Sequence, residues 1–269
     1  MRLEKAELQR VETQRTPELG AYELYLKGMA ALRYHRHFEE AYDLFRQAFT
    51  LDPGYAAAYA MAAYCLFIQH FTGDAPLGAA RRDEAIKLAQ VTARLPHEDE
   101  HALARAAHIL AYFAKQHDLA KDLIERAVEL NPNHSFTFQA RGWIYVIRGE
   151  AHLALESFST ALRLDPVDPN RINAWAGLAC AHNLLKDCAA GYQWAKKAAD
   201  ALPVMPMLAY FVINAVPFGC MEEARDAVSK MLQLRPNLTL SEVLELCYTR
   251  DQEWFGRMSN AFREAGVPE

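Results

Sequence analysis

A short turn motif ending in proline recurs along this 269-residue chain. Each copy places a leucine one or two residues before the proline, and successive prolines are 43, 36, 34, 37 and 33 residues apart. Proline lacks the backbone N–H that a helix interior needs, so each copy ends one helix before the next begins. A period near 34 residues is typical of a helix-turn-helix unit that stacks on its neighbours. The copies are Leu51-Asp52-Pro53, Leu95-Pro96, Leu130-Asn131-Pro132, Leu164-Asp165-Pro166, Leu202-Pro203 and Leu234-Arg235-Pro236.

The clearest unit runs from residue 135 to residue 168. Glycine costs about 1 kcal/mol relative to alanine inside a helix. Gly142 therefore indicates that the first helix of this unit approaches the second closely, opposite Ala154. Small and aromatic residues fall at the six signature offsets of the tetratricopeptide repeat, at Gly142, Tyr145, Ala154, Phe158, Ala161 and Pro166.

Less regular units precede and follow this one, so the sequence predicts an all-α fold. We expect a right-handed α-α superhelix of about six tetratricopeptide helix pairs with capping helices at its ends. The N-terminal polar helix or linker is placed at 1–19, the repeat array at 20–236 and the C-terminal capping helices at 237–269. A long loop is predicted at 69–79, within the widest proline spacing.

The C-terminal capping helices carry two start signals. Thr239 to Glu242 and Thr249 to Gln252 each fit a capping box, in which a threonine and a Glu or Gln side chain satisfy the first backbone N–H groups. We expect the second of these helices to seal the open end of the stack.

Charge, apolar stretches and cysteine spacing limit the kinds of partner, compartment and cofactor that this chain can have. The chain carries a net charge of -5 and has no basic excess for nucleic acid. Its longest apolar stretch, residues 56–68, is shorter than the ~20 residues of a membrane span, and no signal-peptide pattern opens the chain. We expect a cytoplasmic protein that binds neither nucleic acid nor membrane. Five cysteines without a C-x-x-C spacing favour buried thiols over a disulfide framework or a zinc site.

Four segments carry a family resemblance: AYELYLKG at 21–28, LDPGYAAAYA at 51–60, LDPVDP at 164–169 and GVPE at 266–269. Together they resemble the C-terminal repeat region of bacterial signalling proteins. In that family a class III adenylate cyclase-type or winged-helix DNA-binding domain is followed by a TolB-like segment and tetratricopeptide repeats. The resemblance implies a regulatory module separated from the domain it regulates. The sequence lacks a cyclase's paired aspartates and a basic helix-turn-helix reader, so neither activity transfers to it.

The family's register also implies a binding surface. The first helix of each pair lines the concave face of a tetratricopeptide array, where ligands meet its second, fifth, ninth, twelfth and thirteenth positions. The wall so predicted is aromatic and lightly charged, so we expect apolar anchors and amide hydrogen bonds to hold a peptide or partner domain. Trp143 is its strongest candidate. The predicted residues are Tyr22, Tyr25, Arg33, Tyr64, Phe67, Arg105, Tyr112, Gln139, Trp143, Ile147, Asn173 and Asn183.

One segment matches a catalytic pattern. His97-Glu98-Asp99-Glu100-His101 satisfies H-E-x-x-H, which on a helix sets two histidines on one face for zinc, with the glutamate as general base. Because His97 directly follows the Leu95-Pro96 turn, we predict that the pair straddles a helix start. The acidic residues then lie at the N-terminus of that helix, where the helix dipole favours negative charge.

The leading hypothesis is a non-catalytic scaffold that binds a protein or peptide partner, including another domain of its own full-length protein. It needs no cofactor and no metal. A small-molecule sensor closed by the 69–79 loop is the alternative. Two further alternatives are a zinc hydrolase at 97–101 and a homodimer formed through the N-terminal helix or an open end of the stack.

Overall fold

The computed structural model describes residues 17–32, 37–72 and 77–269, and within these ranges the chain is all-helical. The predicted fold class is confirmed. Residues 1–16 of the predicted N-terminal helix or linker at 1–19, and the candidate Arg33, lie outside the described residues, whereas residues 17–19 belong to the first helix described. The fourteen helices of the described ranges are α1 (Pro17–Ala30), α2 (Phe38–Leu51), α3 (Ala56–Thr72), α4 (Ala79–Arg94), α5 (Glu100–Tyr112), α6 (His117–Leu130), α7 (Ser135–Arg148), α8 (Ala151–Leu164), α9 (Arg171–Leu184), α10 (Cys188–Ala201), α11 (Met205–Phe218), α12 (Met221–Leu234), α13 (Leu240–Leu246) and α14 (Gln252–Ala265).

The helices associate as consecutive pairs, from α1 with α2 to α11 with α12. The proline turns fall between pairs, as predicted: α2 ends at Leu51, α8 at Leu164 and α12 at Leu234. At the first of these ends, the Asp52 N–H still donates to the Ala48 carbonyl oxygen at 2.9 Å, which completes the last turn before Pro53. Each turn therefore stops one pair and starts the next.

The predicted long loop is shorter than expected. Helix α3 continues to Thr72, so residues 69–72 of the predicted 69–79 loop are helical. Thr72 adds a hydrogen bond from its hydroxyl to the Ile68 carbonyl oxygen, 3.0 Å away. Burial supplies the physical reason, because His70, two residues before the helix end, is fully buried.

Odd-numbered helices form the inner layer of the stack. From α3 to α9 each contacts the next odd-numbered helix, and α11 also contacts α3. Phe71, near the end of α3, packs against both hydrophobic core clusters of the described residues. The inner helices α3, α5, α7, α9 and α11 thus complete a circuit, so the superhelix closes on itself.

The two C-terminal helices do more than seal the end of the stack. Helix α14 packs on α11 and α12 of the last pair, and the segment before it crosses the inner helices. The capping box of Thr239 with Glu242 is confirmed. The second predicted box is wrong, because Asp251 caps α14 by accepting from the Trp254 N–H, whereas Thr249 bonds to α7.

Phe158 on α8 fixes the spacing between two helix pairs. A Cβ atom at Gly142 would lie 2.7 Å from its ring, and one at Gly177 on α9 would lie closer still. Gly142 therefore makes room for Phe158 rather than for Ala154. The same contact recurs in the first pair, where a Cβ at Gly28 would lie 2.7 Å from the Phe45 ring.

We expect Gly177→Ala to lower the free energy of unfolding by about 1 to 3 kcal/mol, because the added methyl group overlaps the buried Phe158 ring. Gly256→Ala is the matched control. Gly256 is also helical but faces open space, so this change should raise stability by up to about 1 kcal/mol through helix propensity. Urea unfolding measures both. Equal effects of the two changes would contradict the Phe158 contact.

Candidate binding surface on the inner helices

One end of the inner layer is covered by the chain itself. We call residues 245–254 the return segment. The Arg250 N–H donates to the Ile147 carbonyl oxygen of α7 at 2.9 Å, and the Thr249 hydroxyl donates to the same oxygen at 3.2 Å. On α5, the Tyr112 hydroxyl donates to the Glu245 carbonyl oxygen at 2.5 Å. The return segment therefore satisfies backbone and side-chain groups at the carboxyl ends of the inner helices.

Asn183 on α9 holds the far end of the return segment. Its side-chain N–H₂ donates to the Ile213 carbonyl oxygen at 2.7 Å, and its side-chain oxygen accepts from the Trp254 indole N–H at 2.8 Å. Arg257 donates to the Asn183 backbone carbonyl oxygen at 3.0 Å. Both the asparagine and the tryptophan are buried. The polar atoms of Asn183 are thus used within the chain.

This covering divides the predicted inner wall. Phe67, Tyr112, Ile147 and Asn183 are buried, in contact with neighbouring helices or with the return segment. The prediction that these four side chains lie on an open wall is therefore wrong. Trp143, the strongest candidate, is half-buried. Its ring centroid lies 5.6 Å from that of Phe158 and 5.3 Å from that of Tyr210, so it contributes to interhelical packing.

Most of the remaining candidates lie in the first halves of the inner helices, and Tyr25 and Tyr64 lie near the middle of α1 and α3. Tyr22 and Asn173 are exposed, whereas Gln139 is buried and donates to an Asp168 carboxylate oxygen at 2.8 Å. Tyr25, Tyr64 and Arg105 are half-buried. Whether any of the twelve contacts a ligand remains a prediction.

Six exposed or half-buried residues, four of them predicted candidates, form what we call the tyrosine–arginine surface. The Arg105 guanidinium lies 5.3 Å from the ring centroid of Tyr64 and 4.6 Å from that of Phe136, at cation–π distances. The Tyr25 ring centroid lies 5.2 Å from that of Tyr55. The surface consists of Tyr22, Tyr25, Tyr55, Tyr64, Arg105 and Phe136.

Electrostatics link the tyrosines of this surface. Burial raises the pKa of Tyr55, and the nearby Tyr25 and Tyr22 hydroxyls raise it further. Burial also raises the pKa of Tyr25, although the positive charge of Arg105 opposes that rise. The Tyr25 and Tyr55 phenols therefore stay neutral at physiological pH and offer hydrogen bonds beside apolar ring faces.

Sequence reasoning missed Tyr55 and Phe136. Phe136 is the second residue of α7, a position that the register already assigns to the inner face, so the signal was present. Tyr55 precedes α3 and falls outside any helical register. Its contact with Tyr25 depends on how α1 packs, which the repeat period does not specify.

The H-E-x-x-H segment straddles a helix start, as predicted. Helix α5 begins at Glu100 with Asp99 as its cap, so His97 lies outside the helix. The His97 ring bonds to the Thr92 carbonyl oxygen at 2.9 Å and accepts from the Asp99 N–H at 3.2 Å. Both ring nitrogens are therefore used in the turn. The described ranges bring together no group of three or more His, Cys, Asp or Glu residues suited to a metal ion.

Comparison with known proteins supports this architecture. Residues 100–134, which span α5 and α6, match the family model of the tetratricopeptide repeat. The fold is a tetratricopeptide-repeat solenoid. No curated protein matches the chain. Every helix in the described ranges is too short or too polar to cross a lipid bilayer.

Solved tetratricopeptide-type structures share the fold at low sequence identity. A chain of the APC/C hetero-tetramer Cut9-Hcn1 aligns with a TM-score of 0.62 and 17% identity over 86% of this chain, which spans 47% of that one. PilF of Pseudomonas aeruginosa aligns with a TM-score of 0.55 and 18% identity, over 85% of this chain and 97% of that one. PilW, a type IV pilus biogenesis factor, aligns with a TM-score of 0.57 and 14% identity, over 79% and 92%.

We expect Trp254→Phe to lower the free energy of unfolding by about 1 to 3 kcal/mol. The change keeps an aromatic ring but leaves the buried Asn183 side-chain oxygen without its donor. Phe255→Leu is the control, since Phe255 adjoins Trp254 but is only partly buried. Thermal unfolding of both variants measures the effect, and a Trp254→Phe loss no greater than the control's would contradict it.

His70 should make stability depend on pH. Its ring accepts from the Leu77 N–H at 3.2 Å and lies 3.3 Å from the Tyr112 hydroxyl, so the neutral form fits both partners. Burial, followed by the nearby Arg82 charge, lowers its pKa to about 4. In the unfolded chain the His70 imidazole takes up a proton near pH 6.5. Neutral His70 therefore stabilises the fold fully above pH 6.5, and this stabilisation is lost as the pH falls towards 4.

The expected loss is at most about 3 kcal/mol between these two pH values. It is measured as the difference in urea-unfolding free energy between the unchanged chain and His70→Gln, which removes this titration but leaves other histidines in place. A difference that does not vary with pH would exclude His70 as its source.

Proposed function

We propose that this chain is a non-catalytic interaction module that binds an extended peptide, or an extended loop of a partner protein, on the tyrosine–arginine surface. Tetratricopeptide repeats typically mediate protein–protein interaction. The observation that supports this surface is the division of the inner layer. The return segment covers the carboxyl ends of the inner helices, whereas partly exposed aromatic rings at Tyr22, Tyr25 and Tyr64 remain on the other side.

The chemistry of the surface favours a largely uncharged peptide with apolar anchors. Aromatic side chains give a large contact area with few rotatable bonds, and tyrosine and arginine are enriched among residues that dominate binding energy. Tyr22 is 48% exposed and Leu26, one turn later on α1, is 47% exposed. These two side chains extend the apolar area at one edge of the surface.

We further propose that the module regulates a bacterial signalling protein, with another domain of the same full-length protein as one candidate partner. The resemblance of segments 21–28, 51–60, 164–169 and 266–269 supports this context. Sequencing of the reading frame around residue 1 tests it. A frame without an adjoining catalytic or DNA-binding domain would contradict the proposal.

Peptide binding is tested by selecting displayed random 12-residue peptides on the full chain. We expect Tyr22→Ala to weaken the selected peptides about ten-fold, since a partly buried aromatic contact contributes on the order of 1 to 2 kcal/mol. Phe218→Ala is the matched control. Phe218 is 40% exposed but stacks on Tyr192 in the last two helix pairs.

Isothermal titration measures both affinities, and thermal unfolding verifies that each variant is folded. A library that yields no binder would contradict the proposed function. So would peptides whose affinity falls equally in the two variants, because that result would place the binding site elsewhere.

A further inference from the structure

Arg105 on α5 differs in its partners from the two inner arginines of α7. Arg141 contacts the Glu125 carboxylate at 2.9 Å, and Arg148 contacts those of Asp118 and Glu150 at 2.9 and 2.6 Å. Among the described residues, Arg105 forms no ion pair within 4.0 Å. Its terminal N–H donates to the His101 backbone carbonyl oxygen at 3.1 Å, which folds the side chain back over the first turn of α5.

Two polar atoms beside this turn are left without partners. The Arg105 Nε and the His101 Nδ1 are both buried, and neither has a hydrogen bond within the part of the chain that the structure describes. They lie one helical turn apart on the same face of α5. Buried polar groups in proteins are almost always hydrogen-bonded, so this pair indicates a missing partner.

The two atoms have opposite hydrogen-bonding character. Arg105 Nε carries a proton and donates. His101 Nε2 faces a Glu100 carboxylate oxygen at 3.8 Å, which favours the ring proton on Nε2 and leaves Nδ1 as an acceptor. Burial, followed by the Arg105 charge, lowers the pKa of His101, which keeps the ring neutral near pH 7. The missing group must therefore accept one hydrogen bond and donate another.

Nearby carboxylates disfavour an anion at this position. Asp99 caps α5 by accepting from the Ala102 N–H at 2.9 Å, and Glu100 accepts from the Asn131 side chain at 2.8 Å. Burial lowers the pKa of His134, whose ring centroid is 4.0 Å from that of His101, and the negative charges of Glu100 and Asp168 oppose that shift. A carboxylate ligand could accept from Arg105 Nε but has no proton to donate to His101 Nδ1, and it would lie beside the negative charges of Asp99 and Glu100.

We propose that Arg105 and His101 bind a neutral primary carboxamide, the side chain of an asparagine or glutamine in the bound peptide. A primary carboxamide carries a C=O and an N–H that point to the same side, so one group serves both atoms. The N–H of a trans backbone amide points away from its C=O. Tyr64 and Phe136 flank the guanidinium and supply ring faces for the methylene groups next to the carboxamide.

This inference rests on the proposed function but is tested apart from it. Phenylacetamide is the probe, and phenylacetate and N-methylphenylacetamide are its matched controls for the carboxylate and the backbone amide. Binding is followed on the full ¹⁵N-labelled chain through the His101 imidazole signal, which is assigned by its loss in His101→Gln.

We expect phenylacetamide to shift the His101 signal at least five-fold more than either control does. Arg105→Met keeps an unbranched apolar stem against Tyr64 and Phe136 but removes the Nε donor, and it should abolish the shift. Equal shifts with phenylacetate would overturn the inference in favour of an anion. Equal shifts with N-methylphenylacetamide would overturn it in favour of a backbone amide.

No shift with any probe would mean that no ligand amide reaches the pair, which also overturns the inference. The selected 12-residue peptides separate its failure from that of the proposed function. Peptides that depend on Tyr22 but not on Arg105 would contradict the carboxamide site alone. A selection without binders would contradict the proposed function.

Discussion

The spacing between helices in this protein depends on phenylalanine rings that fit against glycines. Phe158 fills the space left by the missing side chains of Gly142 and Gly177, and Phe45 does the same at Gly28. A side chain at any of these glycines would push the packed helices apart. Because protein interiors are close-packed, neighbouring helices would shift as well. Close packing around Phe158 sets how α9 sits against α7 and α8, and this contributes to the turn of the stack that brings α11 back to α3.

The repeat period predicted the fold because its causes are local. Proline ends a helix wherever it occurs, and helical spacing of small and aromatic residues defines the packed face within one unit. The circuit of inner helices has no such local cause. The contact between α11 and α3 results from small rotations that add up over several helix pairs, and no single residue specifies it. For this reason the sequence indicated an open concave wall, whereas the carboxyl ends of its helices are covered.

The return segment was beyond prediction for a related reason. Its main attachment on α7 is the backbone carbonyl of Ile147, and a backbone group leaves no trace in the identity of a residue. Trp254 finds its partner Asn183 across 71 residues. By contrast, the register correctly assigned Tyr64 and Arg105 to neighbouring inner helices, where they meet at cation–π distance. A repeat pattern predicts contacts between adjacent units, but it does not predict contacts between units that are far apart in the chain.

The circuit also changes how this chain should fold. In an open solenoid each repeat touches only its neighbours, so parts of the array can unfold separately. Here Arg82 pairs with Glu245 across 163 residues, and Ile147 bonds to Thr249 across 102. These long-range contacts form only after the intervening pairs are in place, which raises contact order and slows folding. They also connect the first half of the array to its end, so loss of one pair weakens the others and unfolding becomes more cooperative than in a linear stack.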